Sequence, residues 1–203
     1  MVVAGIVLAA GAGVRMGRPK GLVTDARGTP WVRIGVAALV DAGCTPVVVV
    51  TGARSEDVSV LVPPSASPVY AADWAEGIGA SLRAGLKALQ GQPDSPDAAV
   101  VALVDTPDVT AAVVSRVVKV TATSKGPLPK ALTRACYDGR PGHPVLIGRD
   151  HWAGVIAAAK GDAGARHYLR DRDDVVLVEC ADLASGTDRD TPEALRDQGE
   201  GPE

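Results

Sequence analysis

The stretch VLAAGAGVRMGRPKGL, Val7 to Leu22, sets Gly11, Gly13 and Gly17 among the cations Arg15 and Lys20. Glycine lets backbone N–H groups approach a ligand closely, and nearby cations suit a bound phosphate, as would the positive end of a helix starting behind the loop. Neither of two familiar phosphate loops fits. A dinucleotide fingerprint needs G-x-G-x-x-G, and its last glycine position here holds Met16; a Walker A loop needs Gly-Lys followed by Ser or Thr, and Lys20 follows Pro19.

Three further groups carry chemistry: Asp105 in VDTPD, His143 in RPGHP, and Asp188 with Asp190 in GTDRDTPE. Two carboxylate sites facing a basic glycine loop are what metal-assisted phosphoryl or nucleotidyl transfer requires, because Mg²⁺ takes oxygen ligands, keeps waters and bridges to substrate phosphates. Plainer roles stay open for each member. The loop fits a tight turn, Asp105 before Thr106-Pro107 fits a helix cap, and Asp190 before Thr191-Pro192 fits another. His143 fits a hydrogen-bonded structural histidine as well as a functional one. If the last strand continues that far, Asp188 and Asp190 share one face and Arg189 the other.

The elements that must position these groups alternate. Val2 to Ala9, Pro46 to Gly52 and Ala98 to Asp105 are near-continuous apolar runs of the kind buried on both faces of a parallel sheet. Helical stretches are expected at Trp31 to Ala42, Glu76 to Leu89, Val109 to Val120, Trp152 to Ala159 and Ala163 to Arg170, with a last strand over Asp174 to Cys180. Lys130 to Gly148 reads as two extended segments around a turn at Asp138 and Gly139, an antiparallel insertion. Alternation of this kind indicates an α/β fold, in which ligands bind outside the carboxyl ends of the strands. One domain is expected over 1–196, with a helix from Thr191 to Arg196 and a disordered tail over 197–203.

With 203 residues, 46% of them apolar, the chain can bury a sizeable core. A formal charge of −3 argues against a general nucleic-acid surface, so any anion site must be local. Cys44, Cys136 and Cys180 form no C-x-x-C pair and suit reduced, packed thiols. No signal segment and no apolar run of about 20 residues is present, so a cytoplasmic protein without a membrane partner is expected.

The glycine loop, LAAGAGVRMGRPK, resembles the signature of the MobA-like nucleotidyltransferases. VVTGAR, DWAEGIGASLRAGL, VDTPDV, GRPGHPVLI, KGDAGARHYL and DRDTPEAL follow in the family's order over nearly the whole chain, and are most similar to the molybdenum cofactor cytidylyltransferase branch. The resemblance implies a three-layer, Rossmann-like, mostly parallel sheet of the nucleotide-diphospho-sugar transferase type. It further implies that Gly11, Gly13, Arg15 and Lys20 hold a nucleoside triphosphate and that Leu8, Ala9 and Ala10 face its base. Lys20, Arg15 and Asp105 would be the catalytic groups; Asp105, with Asp188 or Asp190, would bind Mg²⁺. Asp73, Ser81, Gly142 and His143 would meet the acceptor. Ala9-Ala10-Gly11 is more similar to members that select cytidine than to those that select guanosine. The implied reaction transfers CMP from CTP to a molybdopterin-type cofactor with release of pyrophosphate, for use by a molybdenum hydroxylase partner. Asp73, Thr106 and Arg189 depart from the residues usual in that branch, and leave open another phosphorylated acceptor such as a sugar phosphate. A non-catalytic protein that binds and delivers the cofactor is the alternative of a different class.

Overall fold

A computed structural model describes residues 2–92, 94–123 and 126–189. The expected helix at Thr191 to Arg196, the tail at 197–203 and Asp190 lie outside the described residues.

The chain alternates as follows: β1 (Val3–Leu8), α1 (Trp31–Asp41), β2 (Val47–Thr51), α2 (Ser55–Leu61), β3 (Ser67–Tyr70), α3 (Ile78–Gln90), β4 (Ala98–Leu103), α4 (Ala111–Thr123), β5 (Leu132–Tyr137), β6 (Arg140–Gly148), α5 (Trp152–Ala158), α6 (Arg166–Leu169) and β7 (Val175–Glu179). The strands form one sheet in the order β3-β2-β1-β4-β6-β5-β7. All neighbours pair in parallel except β6, which runs antiparallel to both β4 and β5. The expected antiparallel unit is therefore built into the central sheet. Its turn is made by Asp138 and Gly139, both at positive φ.

Valine-rich runs form the central strands because their side chains are buried on both faces. Val3, Val7 and Ala9 pack on one side with Trp31, Val36 and Leu39 of α1, Val58 of α2 and Val113 and Val117 of α4. Ala4, Ile6, Leu8 and Ala10 point the other way, onto Leu82, Leu86 and Leu89 of α3, Trp152 and Val155 of α5, and Leu169. The alternation follows from the two-residue period of a strand, and it gives three layers with a core on each face. Cys44, Cys136 and Cys180 are buried and unbridged. No described helix is long and apolar enough to cross a membrane.

Candidate active site

The parallel strands β1 and β4 are neighbours, with Leu8 beside Leu103, so the loops that follow both strands emerge together. The glycine loop runs from Gly11 and is shaped by Gly13, whose φ is +61°. A Cβ there would stand 2.0 Å from the Arg18 carbonyl oxygen, so glycine alone permits the fold-back. The loop then passes through two short 3-10 turns, Val14–Met16 and Lys20–Leu22. A helix directly behind the loop is not found; the first α-helix begins at Trp31. The helical N-terminus that lines the same cleft is instead that of α3, with its cap Gly77, Ile78 and Ser81. At 13 residues, α3 is long enough to present a useful positive dipole end.

That cleft, of about 510 Å³, brings together Leu8, Ala10, Gly11, Gly13, Arg15, Lys20, Ser81 and Asp105. Lys20 Nζ donates to Asp105 Oδ2 in an ion pair, with the two side chains 18% and 14% exposed. Trp74, Ala75 and Asp162 complete the walls. Asp162 and Trp74 have no role in the sequence reading, although both lie in segments that carry the resemblance. A close approach between turns explains their position: a Cβ on Gly77, at φ +113°, would meet Asp162 Oδ1 at 2.4 Å. Arg83 braces this wall, donating to Glu76 at 2.6 Å and to the Ala159 carbonyl at 2.8 Å.

The C-terminal segment is stitched to the end of β4. Arg189 N–H donates to the Asp105 carbonyl at 2.9 Å, which brings the backbone of Asp188 alongside. Asp108 Oδ2 accepts from Ser185 N (2.8 Å), Ser185 Oγ (2.6 Å) and Gly186 N (3.2 Å). The last strand ends at Glu179, so its alternation does not reach Asp188, which is exposed on irregular backbone. Among the described residues no group of three or more His, Cys, Asp or Glu side chains is arranged for a metal ion. A carboxylate oxygen in a cleft with room for phosphate oxygens and water nevertheless fits a hard divalent cation that keeps part of its hydration.

Other expected site residues fall elsewhere. The Ala9 side chain is turned into the opposite core and does not face the cleft. Asp73 is exposed just outside the cleft, before the turn Trp74–Glu76. Gly142 lines a separate hollow with Tyr137, Arg140 and Gly186. His143 lies on β6, where extending the β4–β6 register by two residues sets it beside Leu103. Its ring is held neutral: burial, with the charge of Arg134 second, lowers its pKa to about 4. Arg134 Nε donates to the Gly142 carbonyl at 2.9 Å, and the Tyr137 hydroxyl donates to the His143 carbonyl at 2.6 Å. The RPGHP segment is thus fixed mainly through its backbone.

A family model described as "MobA-like NTP transferase domain" matches residues 5–175. The chain is 33% identical over 204 residues to nicotine blue oxidoreductase of Paenarthrobacter nicotinovorans, covering 95% of this chain and 94% of that protein. Among solved structures it is similar to a nucleotidyl transferase from Methanothermobacter thermautotroptrophicus, with TM-score 0.79, 21% identity, and coverage of 97% and 95% of the two chains. It is also similar to a Mycobacterium tuberculosis H37Rv protein in complex with manganese, with TM-score 0.73, 22% identity and 97% of each chain covered.

Proposed function

The chain belongs to the MobA-like NTP transferase family, and from that premise we propose that it transfers CMP from CTP to a molybdopterin-type molybdenum cofactor, releasing pyrophosphate. The observation that carries the nucleotide half is the convergence, in one cleft, of the Gly11–Gly13 loop, Arg15, the Lys20–Asp105 pair and the N-terminus of α3.

The reaction asks for positioning and charge neutralisation. A terminal phosphate oxygen of the acceptor attacks the α-phosphorus of CTP, a new P–O bond forms, and the bond to the β-phosphate breaks as pyrophosphate leaves. An ionised phosphate nucleophile needs no strong general base, so the chain's task is to offset charge on the three phosphates. Lys20 and Arg15 supply cations, and the α3 N-terminus and loop amides supply aimed dipoles. Lys20 and Asp105 neutralise one another without substrate and exchange partners when it binds, Lys20 turning to phosphate. Asp105 would hold Mg²⁺, which would supply charge stabilisation for the phosphates. The manganese in the similar mycobacterial structure supports a divalent metal.

Selection of cytosine rests on the similarity of Ala9-Ala10-Gly11 to members that select cytidine, and of these three residues Ala10 and Gly11 line the cleft. A thermal-shift panel of CTP, GTP, ATP and UTP, with and without Mg²⁺, tests this half. A ligand that binds only the native state raises its stability, and CTP with Mg²⁺ is expected to give the largest rise. An equal or larger rise with GTP contradicts the base assignment.

A second reading rests on the relative whose name is nicotine blue oxidoreductase, 33% identical over nearly the full length. Under that reading the cleft holds a dinucleotide and the chain oxidises or reduces a dye-like molecule. The failed G-x-G-x-x-G pattern at Met16 and the Lys20–Asp105 pair favour nucleotidyl transfer.

A further inference from the structure

The segment KGDAGARHYL carries part of the family likeness, yet its Arg166 lies outside the reaction cleft. In β5, Arg134 stands beside Val145 of β6 and Leu177 of β7. Over those strands α6 and the residues after it carry Arg172 and the exposed Arg166 and Arg170, and with Arg134 these four arginines line one hollow of about 310 Å³ that has Leu169 and Leu177 as apolar wall.

The four charges are unequally met. Arg172 is paired with Asp174 at 2.6 and 2.8 Å. Arg134 donates to the carbonyls of Gly142 and Pro141, which are dipoles and not charges. Among the described residues, no carboxylate stands in ion-pair range of Arg166 or Arg170. Burial and then the charge of Arg166 both make the Arg134 guanidinium harder to keep protonated, which lowers its pKa. Like charges gathered at a concave, partly apolar surface repel one another, and an anion seated there relieves the repulsion.

We propose that the hollow between α6 and β7 binds a small organophosphate, its phosphate held by Arg166 and Arg170 with Arg134 behind them, and its apolar body against Leu169 and Leu177. Planar guanidiniums match phosphate oxygens in paired hydrogen bonds, and the apolar wall distinguishes this ligand from inorganic phosphate. The hollow shares no lining residue with the reaction cleft, so it is a second site.

Phenyl phosphate is the probe, followed by methyl NMR of the full chain, with inorganic phosphate and phenol as its two halves. Saturable shifts are expected at Leu169 and Leu177, and the Arg166→Gln/Arg170→Gln double variant is expected to raise the Kd about tenfold or more, as loss of charge-assisted bonds to phosphate implies. An unchanged Kd in the variant overturns the site, as do shifts confined to Leu8 and Leu103 in the reaction cleft. Equal affinity for inorganic phosphate overturns the apolar contact. The wild-type titration stands alone if the variant does not fold: no saturable shift at Leu169 and Leu177 overturns the proposal.

Discussion

Replacing Lys20 by Ala removes one member of the ion pair at the centre of the cleft. The two side chains are 18% and 14% exposed, between the fully solvated and fully buried limits. An exposed pair contributes about 0–1 kcal/mol, whereas removing one partner of a buried pair costs about 3–5 kcal/mol because the other charge is stranded. A loss of about 1–2 kcal/mol follows, which for a chain of this size lowers Tm by roughly 2–8 °C. Since small proteins carry about 5–15 kcal/mol of stability, nearly all molecules remain folded at assay temperature. Turnover is expected to fall far more, by roughly 10²-fold or more, the scale seen when one preorganised group facing developing charge is removed. Pyrophosphate release and Tm are measured on the same preparation. Near-normal turnover refutes the phosphate role of Lys20, and so does a turnover loss that merely tracks the unfolded fraction.

The same variant leaves Asp105 without its cation, so Mn²⁺ alone is expected to bind it more tightly than the wild type in isothermal titration; weaker binding contradicts the partner-exchange account. Asp105→Asn is expected to lower metal-dependent turnover by roughly 10²-fold or more, while magnesium-dependent turnover at the wild-type rate would remove Asp105 from the metal site. His143 has a pKa of about 4 in the folded chain, below its ordinary 6.5. The unfolded chain therefore binds more protons between those values, so the contribution of His143 to stability is complete above pH 6.5 and is lost as pH falls toward 4. Urea denaturation at pH 7.5 and pH 5 is expected to show a smaller difference in His143→Gln than in the wild type, and an identical difference refutes the assignment.

Apolar runs and helical stripes made the alternating architecture legible, because a strand buried on both faces reads as continuous valine. α2 and β3 were not legible. Ser55–Leu61 buries only Val58, and Ser67–Tyr70 is an edge strand with largely exposed side chains, so neither carries a strong period. The Lys20–Asp105 pair joins residues 85 apart in sequence and follows only from β1 and β4 being neighbours. The two-residue period of the strand separates Ala9 from Leu8 and Ala10 and sends it to the opposite core, whereas the resemblance groups all three. Gly142 and His143 were recognised as a motif, but the chain uses them on β6, where Arg134 and Tyr137 hold their carbonyls.

The most direct test of the central claim follows pyrophosphate release from CTP by the wild-type chain, with a molybdopterin-type cofactor as acceptor, beside reduction of a dye by NADH or NADPH without CTP. The account predicts pyrophosphate release that requires both divalent metal and acceptor, together with the cytidylylated product in equal amount. Dye reduction without any metal-dependent pyrophosphate release would contradict it.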